Sequence, residues 1–206
     1  MRDNRKRFLP ALSALLLTIA AVAPGVASKT GKKTFDSINI SNFGQMDDRF
    51  FRGAQPKAED FQSLSSLGIK TDIDLRNDPT DFERSSAESA GIKYVNIPMS
   101  DKDYPTEAEI KQFLAVVNDP ATGKFFVHCA GGRHRTGVMG AVYRFNHDHW
   151  NFAQVYDEMK AYDFYTRFGH GNMKKYVEDY WQRIQSNGYP VALIDLPGQS
   201  KVTTEQ

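Results

Sequence analysis

The residues best suited to chemistry lie in one short segment around the only cysteine, Cys129. The segment reads VHCAGGRHRTG over residues 127–137, with apolar residues before the cysteine and two glycines after it. Backbone N–H groups of such a loop can turn inward to bind an anion, and a helix that begins after the loop adds partial positive charge. Arg135 can form bidentate bonds to two oxygens of a tetrahedral anion. The pattern therefore predicts a binding site for a doubly charged phosphate group.

The same surroundings favour the thiolate form of Cys129, which should make this residue a nucleophile at neutral pH. Thr136 can donate a hydrogen bond to the sulfur and improve it as a leaving group. We expect His128 to support the loop through hydrogen bonds to the backbone. The residues expected to contact the substrate are Ala130, Gly131, Gly132, Arg133 and His134. The side chains of Arg133 and His134 either face solvent or turn inward, and an inward orientation would favour substrates that carry several phosphates.

The pattern His-Cys-x5-Arg-Thr, here His128-Cys129 to Arg135-Thr136, resembles the signature loop of the cysteine-based protein tyrosine and dual-specificity phosphatases. It is most similar to the atypical dual-specificity enzymes of plants and fungi and to their bacterial relatives. The likeness extends from about Asn42, in the run NFGQMDDRFFRGAQP, to about Trp181. The resemblance implies a phosphoric monoester hydrolase that needs no metal ion and no cofactor. In such an enzyme Cys129 attacks phosphorus, a cysteinyl-phosphate forms, and water then hydrolyses it.

The resemblance also implies a general acid, which in these enzymes is an aspartate on a loop between a strand and a helix. The corresponding segment here is MSDKDYP, residues 99–105. Asp101 is the expected acid, because related loops place it a few residues before the proline that opens the helix. Asp103 is the alternative acid.

Two other functions remain open from the sequence: a rhodanese-like sulfur transferase and a phosphate-binding module without turnover. The Cys-x5-Arg spacing, Thr136 and the aspartate-bearing loop argue against sulfur transfer. The presence of cysteine, arginine and aspartate together argues against a module that only binds. The substrate stays open among phosphotyrosine or phosphoserine proteins, inositol phosphates and small phosphorylated molecules.

The elements around these residues indicate an α/β fold with a central, mostly parallel sheet flanked by helices. Loops after parallel strands share one edge of the sheet, so the loops after Leu75, Pro98 and Val127 should meet there. Strands are predicted over 35–40, 49–52, 69–75, 92–98 and 124–128. Helices are predicted over 56–67, 80–90, 105–118, 136–146, 152–162 and 172–186.

The ends of the chain differ from its middle in composition. Residues 1–28 combine four basic residues with a long apolar run, which predicts a signal peptide and export to the periplasm or the medium, or a membrane anchor if it is not cleaved. We expect a linker over 29–34, a phosphatase domain over 35–190 and a polar tail over 191–206. With 26 basic and 25 acidic residues the net charge is only +1, so a nucleic-acid partner is not expected. The sequence leaves the oligomeric state open.

Overall fold

Five strands form the centre of the described part of the chain, and four of them run parallel. The computed structural model describes residue 35 and residues 38–187, so the predicted signal peptide, linker and polar tail lie outside the described residues. The strands are β1 (Gly44–Gln45), β2 (Phe50–Ala54), β3 (Ile69–Arg76), β4 (Lys93–Met99) and β5 (Lys124–Cys129). Their order across the sheet is β1-β2-β5-β3-β4, and β1 alone pairs antiparallel to its neighbour. The predicted mostly parallel sheet is confirmed.

Within residues 38–187, six α-helices accompany the strands in the predicted order. They are α1 (Asp60–Ser66), α2 (Glu83–Ser89), α3 (Glu107–Asn118), α4 (Arg135–Tyr143), α5 (Phe152–Ala161) and α6 (Gly171–Asn187). Two of them begin at capping boxes, in which a side chain accepts from the backbone three residues on and the reverse bond also forms. Thr106 with Glu109 caps α3, and Asn151 with Gln154 caps α5.

The alternation of side chains along the strands builds two apolar cores, one on each face of the sheet. On β5, Phe125 and Val127 belong to the larger core, which α3, α4, α5 and α6 cover. Phe126 points to the opposite face, where it joins the smaller core with residues of α1 and α2. With helices on both faces, the edge of the sheet at the carboxyl ends of the strands is left for a site.

The predicted strand over 35–40 is not present in its described residues, 35 and 38–40. Phe35 instead packs edge-on against Phe43, with ring centroids 5.1 Å apart. Asn42 has a left-handed backbone with φ of 56°, and the chain then returns as the short strand β1. The apolar residues of this segment therefore cover the smaller core rather than extend the sheet. Within residues 38–187, no helix combines the length and apolar character needed to cross a bilayer.

Candidate active site

Cys129 is the last residue of β5, the central strand, and it reaches the carboxyl edge of the sheet there. Its side chain is almost fully buried, with 4% of its surface exposed. We call residues 129–135 the cysteine loop. Because α4 begins at Arg135, the loop lies at the N-terminus of that helix, where unpaired backbone N–H groups attract negative charge.

The cysteine loop is fixed by hydrogen bonds to the segment that contains β2. The Gly132 carbonyl accepts from Asn42 Nδ2 at 3.0 Å and from Arg52 Nη2 at 2.8 Å. The backbone N–H of Gln55 donates to the Ala130 carbonyl at 3.3 Å. These bonds direct two carbonyl oxygens of the loop towards β2, which keeps their negative ends away from a bound anion.

Gly132 is required at its position for two reasons. Its φ of +64° lies in the left-handed region, which residues with a side chain rarely adopt. A Cβ at this position would also lie 2.4 Å from the Gly53 carbonyl carbon and oxygen. The absence of a side chain therefore allows the loop to pack directly on the backbone of β2.

The surroundings of Cys129 favour the thiolate. Burial alone would raise the pKa of the Cys129 thiol, but the hydroxyl and backbone N–H of Thr136, the charge of Arg135 and the backbone N–H of Arg133 lower it below its ordinary value. The Thr136 hydroxyl is fully buried and lowers the pKa of the Cys129 thiol. It makes no hydrogen bond of regular geometry to any described group.

Arg135 is held from one side, as expected for a side chain that must present its other side to a ligand. Its Nη1 donates to the Leu75 carbonyl at 3.5 Å, to Asn77 Oδ1 at 3.1 Å and to the Met99 carbonyl at 3.2 Å. These acceptors lie at the ends of β3 and β4, which confirms that the loops after those strands meet at the cysteine loop. All three bonds use Nη1, so Nε and Nη2 are not needed to anchor the guanidinium.

His128 supports the loop through partners that differ from the expected backbone groups. Its ring is fully buried, with Nε2 2.7 Å from Glu83 Oε1 and 3.4 Å from Asp72 Oδ1, and Nδ1 3.9 Å from Asp74 Oδ1. Burial lowers the pKa of His128, but Asp72 and Glu83 raise it well above its ordinary value. Burial also raises the pKa of Asp72 to about 6. The expectation of backbone partners was wrong because the register of β3 against β5, which sets Asp74 beside His128, cannot be read locally.

The ligand atoms of Asp72, Glu83 and His128 lie within 4.8 Å of one another, a donor set that also suits a divalent cation. However, the 2.7 Å separation of His128 Nε2 and Glu83 Oε1 is a hydrogen-bond distance. The raised pKa of His128 favours an imidazolium, whose positive charge lies beside these buried carboxylates. We therefore assign the group a structural role.

His134 does not turn its ring towards the sulfur or to open solvent. The ring stacks on His170 at 3.6 Å between centroids and 10° between planes, and its Nε2 lies 3.1 Å from the Tyr165 carbonyl. Burial and the neighbouring His170 lower the pKa of His134 to about 4, so the ring is neutral at pH 7. The side chain cannot serve as a cation for a second phosphate. Arg133 lies at the rim, 44% exposed, with Nε 3.9 Å from Asp163 Oδ2.

The two candidate acids differ in their surroundings. We call residues 99–105 the acid loop. The Asp101 backbone carbonyl lies 2.8 Å from His170 Nδ1, so the stacked histidines connect the acid loop to the cysteine loop. The charge of Asp101 raises the pKa of His134, against the larger lowering by burial and by His170. Asp103 Oδ2 instead accepts a hydrogen bond from Ser100 Oγ at 2.8 Å and closes a local turn. Both aspartates are exposed, as is required for contact with a substrate.

Sequence reasoning assigned no role to Asn42 or Arg52, and it gave His170 only a minor part in the pocket. The first two lie in the NFGQMDDRFFRGAQP run, in which an arginine inside an otherwise apolar strand was an available signal. His170 stands in an aromatic-rich loop whose closeness to the acid loop depends on the packing of α5 and α6.

A comparison with known protein families matches residues 24–176 to the family described as "DSP-PTPase phosphatase fused to NAD+ Kinase". The match covers the cysteine loop, the acid loop and β1 to β5. It therefore spans most of the chain and every group described above.

Individual relatives agree with this match. An inositol diphosphatase, DSP2, of Oryza sativa subsp. japonica is 30% identical over 135 residues, which is 59% of this chain and 61% of that protein. A protein named "Probable tyrosine-protein phosphatase DG1060" of Dictyostelium discoideum is 27% identical over 145 residues, covering 68% of this chain and 82% of its own length.

Among solved structures, TpbA of P. aeruginosa superimposes with a TM-score of 0.62 at 24% identity, covering 75% of this chain and 92% of that chain. This likeness shows the fold. The same bacterial protein has also been solved in complex with pTyr.

Proposed function

Because the chain belongs to the DSP-PTPase family of cysteine-based phosphatases, we propose that it hydrolyses phosphate esters with Cys129 as the nucleophile and Arg135 as the phosphate-binding cation. One observation carries this assignment: the buried Cys129 ends β5 in a loop that closes at the N-terminus of α4, and the first residue of that helix, Arg135, has its guanidinium anchored through Nη1 alone. A dianionic phosphoryl group fits there, with its oxygens on backbone N–H groups and Arg135 and its phosphorus facing the sulfur.

The reaction proceeds in two steps. In the first, the Cys129 thiolate attacks phosphorus, an S–P bond forms, and the bond to the leaving oxygen breaks as Asp101 gives that oxygen a proton. In the second, Asp101 takes a proton from water, the water oxygen attacks phosphorus, and the S–P bond breaks to release phosphate. Thr136 stabilises the sulfur as it regains its negative charge. The protein, the substrate and water together supply every proton and electron pair that the two steps need.

We assign the acid to Asp101 because its backbone is tied to the stacked histidines beside the cysteine loop, whereas the Asp103 carboxylate is bonded to Ser100. Asp101→Asn and Asp103→Asn separate the two. We expect Asp101→Asn to lose about 100-fold or more in kcat on an alkyl phosphate, and Asp103→Asn to retain most of its rate. The reverse pattern would assign the acid to Asp103.

For the substrate class we favour a phosphorylated protein. The neutral, stacked His134 leaves Arg133 as the charged side chain of the cysteine loop at the rim, which suits a single phosphate better than a cluster. An inositol phosphate is the second candidate, since the rice relative is named an inositol diphosphatase.

A phosphate-release assay tests both the activity and the substrate class. Wild type is compared with Cys129→Ser and Arg135→Lys on a phosphotyrosine peptide, a phosphoserine peptide, an inositol hexakisphosphate and an inositol pyrophosphate. Arg183→Lys, a matched change at a surface ion pair with Glu107, serves as the control. We expect release by wild type and the control, and near-complete loss in the two site variants. Phosphate release by Cys129→Ser, or a persulfide on Cys129 without any release, would contradict the proposal.

The proposal that the protein is exported rests on composition alone, because residues 1–28 lie outside the described residues. We propose cleavage near residue 27 or 28, supported by the basic start and the apolar run. The mass of the protein recovered from the producing cells tests this, and an intact N-terminus on all copies would contradict cleavage.

A further inference from the structure

Arg52 is a buried charge directly beneath the cysteine loop. It lies on β2 and pairs in register with Val127 of β5, two residues before Cys129. Only 1% of its surface is exposed. Its Nη2 donates to the Gly132 carbonyl at 2.8 Å, and its guanidinium carbon lies 4.1 Å from the centroid of the Tyr162 ring. The side chain therefore fills the space between the cysteine loop and the end of α5.

Among the described residues, Arg52 has no carboxylate within ion-pair distance. The carboxylate with the largest effect on Arg52 is that of Glu158, which is already bonded to Arg144 at 2.6–3.2 Å. The Arg52 Nε is buried without a hydrogen-bond partner. A buried cation without an ion pair is costly, so such a residue is tolerated where another negative group offsets the cost.

The negative groups available on the other side of the loop are the Cys129 thiolate and the phosphate that the proposed function places above it. Burial lowers the pKa of Arg52, while electrostatic interactions with Tyr162, Glu158 and Cys129 act in the opposite direction and favour the guanidinium. The interaction is reciprocal, because two groups that affect each other electrostatically do so by the same energy. A cation that Cys129 stabilises is also a cation that stabilises the Cys129 thiolate.

We propose that Arg52 is a positioning residue that holds the Gly132 carbonyl away from the pocket and places a second buried positive charge behind the cysteine loop. Arg135 binds phosphate from the front, and Arg52 supports the loop and its anions from beneath. The proposal rests on the proposed function, yet it concerns the charge state of Cys129 and anion binding, both measurable without turnover.

The test compares Arg52→Met, which removes the charge at similar length, with Arg52→Lys, which keeps the charge. Arg49→Met is the matched control. Arg49 precedes the same strand, but its guanidinium donates to the carbonyls of Gly123 and Val117 at the opposite end of the sheet. The thiolate of Cys129 is followed by the pH dependence of its alkylation by iodoacetamide. Oxyanion binding is followed by the protection that inorganic phosphate or tungstate gives against that alkylation.

We expect Arg52→Met to reduce the thiolate fraction about tenfold below the titration midpoint, a rise of about one pH unit, and to weaken tungstate protection about tenfold. Arg52→Lys should recover most of the thiolate, and Arg49→Met should match wild type. An unchanged alkylation profile in folded Arg52→Met would overturn the proposal. If Arg52→Met does not fold, Arg52→Gln replaces it, because glutamine keeps an N–H donor but carries no charge. A wild-type alkylation profile in Arg52→Gln would also overturn the proposal.

These outcomes are distinct from a failure of the proposed function. If no substrate releases phosphate but the alkylation profile shifts in Arg52→Met, the role of Arg52 stands and the turnover assignment fails. If phosphate is released normally and the profile does not shift, the proposed function stands and Arg52 only fills space.

Discussion

Replacing Gly132 by alanine tests the close contact between the cysteine loop and β2. The added Cβ would lie 2.4 Å from the Gly53 carbonyl carbon and oxygen and 2.7 Å from the Ala54 nitrogen. Ordinary van der Waals contacts between carbon atoms begin at about 3.5 Å, so the loop must move by roughly 1 Å. The backbone would also hold a side-chain residue at a φ of +64°.

The expected cost follows from these contacts. An alanine in the left-handed region costs about 1–2 kcal/mol. The movement weakens the bonds from Asn42 and Arg52 to the Gly132 carbonyl, worth about 1 kcal/mol for the neutral donor and about 1.5–3 kcal/mol for the charged one. The free energy of unfolding should therefore fall by roughly 3–5 kcal/mol. A displacement of ~1 Å in the loop should reduce kcat about 100-fold.

Gly131→Ala is the matched control, because a Cβ there meets only the flexible Arg133 side chain, at 3.4 Å, and its backbone is not left-handed. Urea denaturation gives the stability of both variants, and hydrolysis of a phosphotyrosine peptide gives their kcat. Equal losses of stability in Gly131→Ala and Gly132→Ala would refute the role assigned to this contact.

Three further predictions follow from the site. His170→Ala should release the acid loop and lower kcat about tenfold on an alkyl phosphate. The loss should be smaller on an aryl phosphate, because its leaving oxygen needs less protonation. Equal losses on both substrates would contradict the link between His170 and Asp101. Thr136→Val should raise the pKa of Cys129 and slow the second step, so that cysteinyl-phosphate accumulates in rapid-quench experiments; no accumulation would argue against its role. The raised pKa of His128 means that its stabilising charge is fully present below about pH 6.5 and is lost as pH rises through the higher folded-state pKa. Glu83→Gln removes one of its carboxylate partners and lowers the folded-state pKa, so the loss of stability in urea titrations should be complete at lower pH than in wild type; an unchanged pH profile would contradict the pairing.

The sequence predicts those parts of the fold and site that depend on neighbours along the chain. The cysteine loop is one example, since a strand, two glycines and a helix start within eleven residues determine its form. The capping box of Thr106 and Glu109 is another, since it lies within one turn. The alternation of strands and helices also predicts the parallel sheet, because parallel strands need crossover connections.

The parts that could not be predicted depend on contacts between distant segments. The carboxylates around His128 come from β3 and from the start of α2, and only the strand register brings them together. The pKa of His134 is lowered because the ring is buried and because it stacks on a residue 36 positions later, in a loop whose path the packing of α6 determines. Likewise, Arg52 and Gly132 are 80 positions apart in the sequence, and only the parallel pairing of β2 and β5 brings them within hydrogen-bond distance.

The central place of β5 has a consequence for local motion. Its end is joined to β2 on one side and to β3 on the other, through ladders that run up to Cys129 and His128. Opening the nucleophile's segment therefore requires separating the middle of the sheet, which is close to complete unfolding. Amide hydrogens of Phe126 and Val127 should exchange with deuterium at the slowest, globally limited rate, while those of the acid loop exchange sooner. The proposed mechanism therefore joins a nucleophile fixed by the middle of the sheet to a proton donor on an exposed loop.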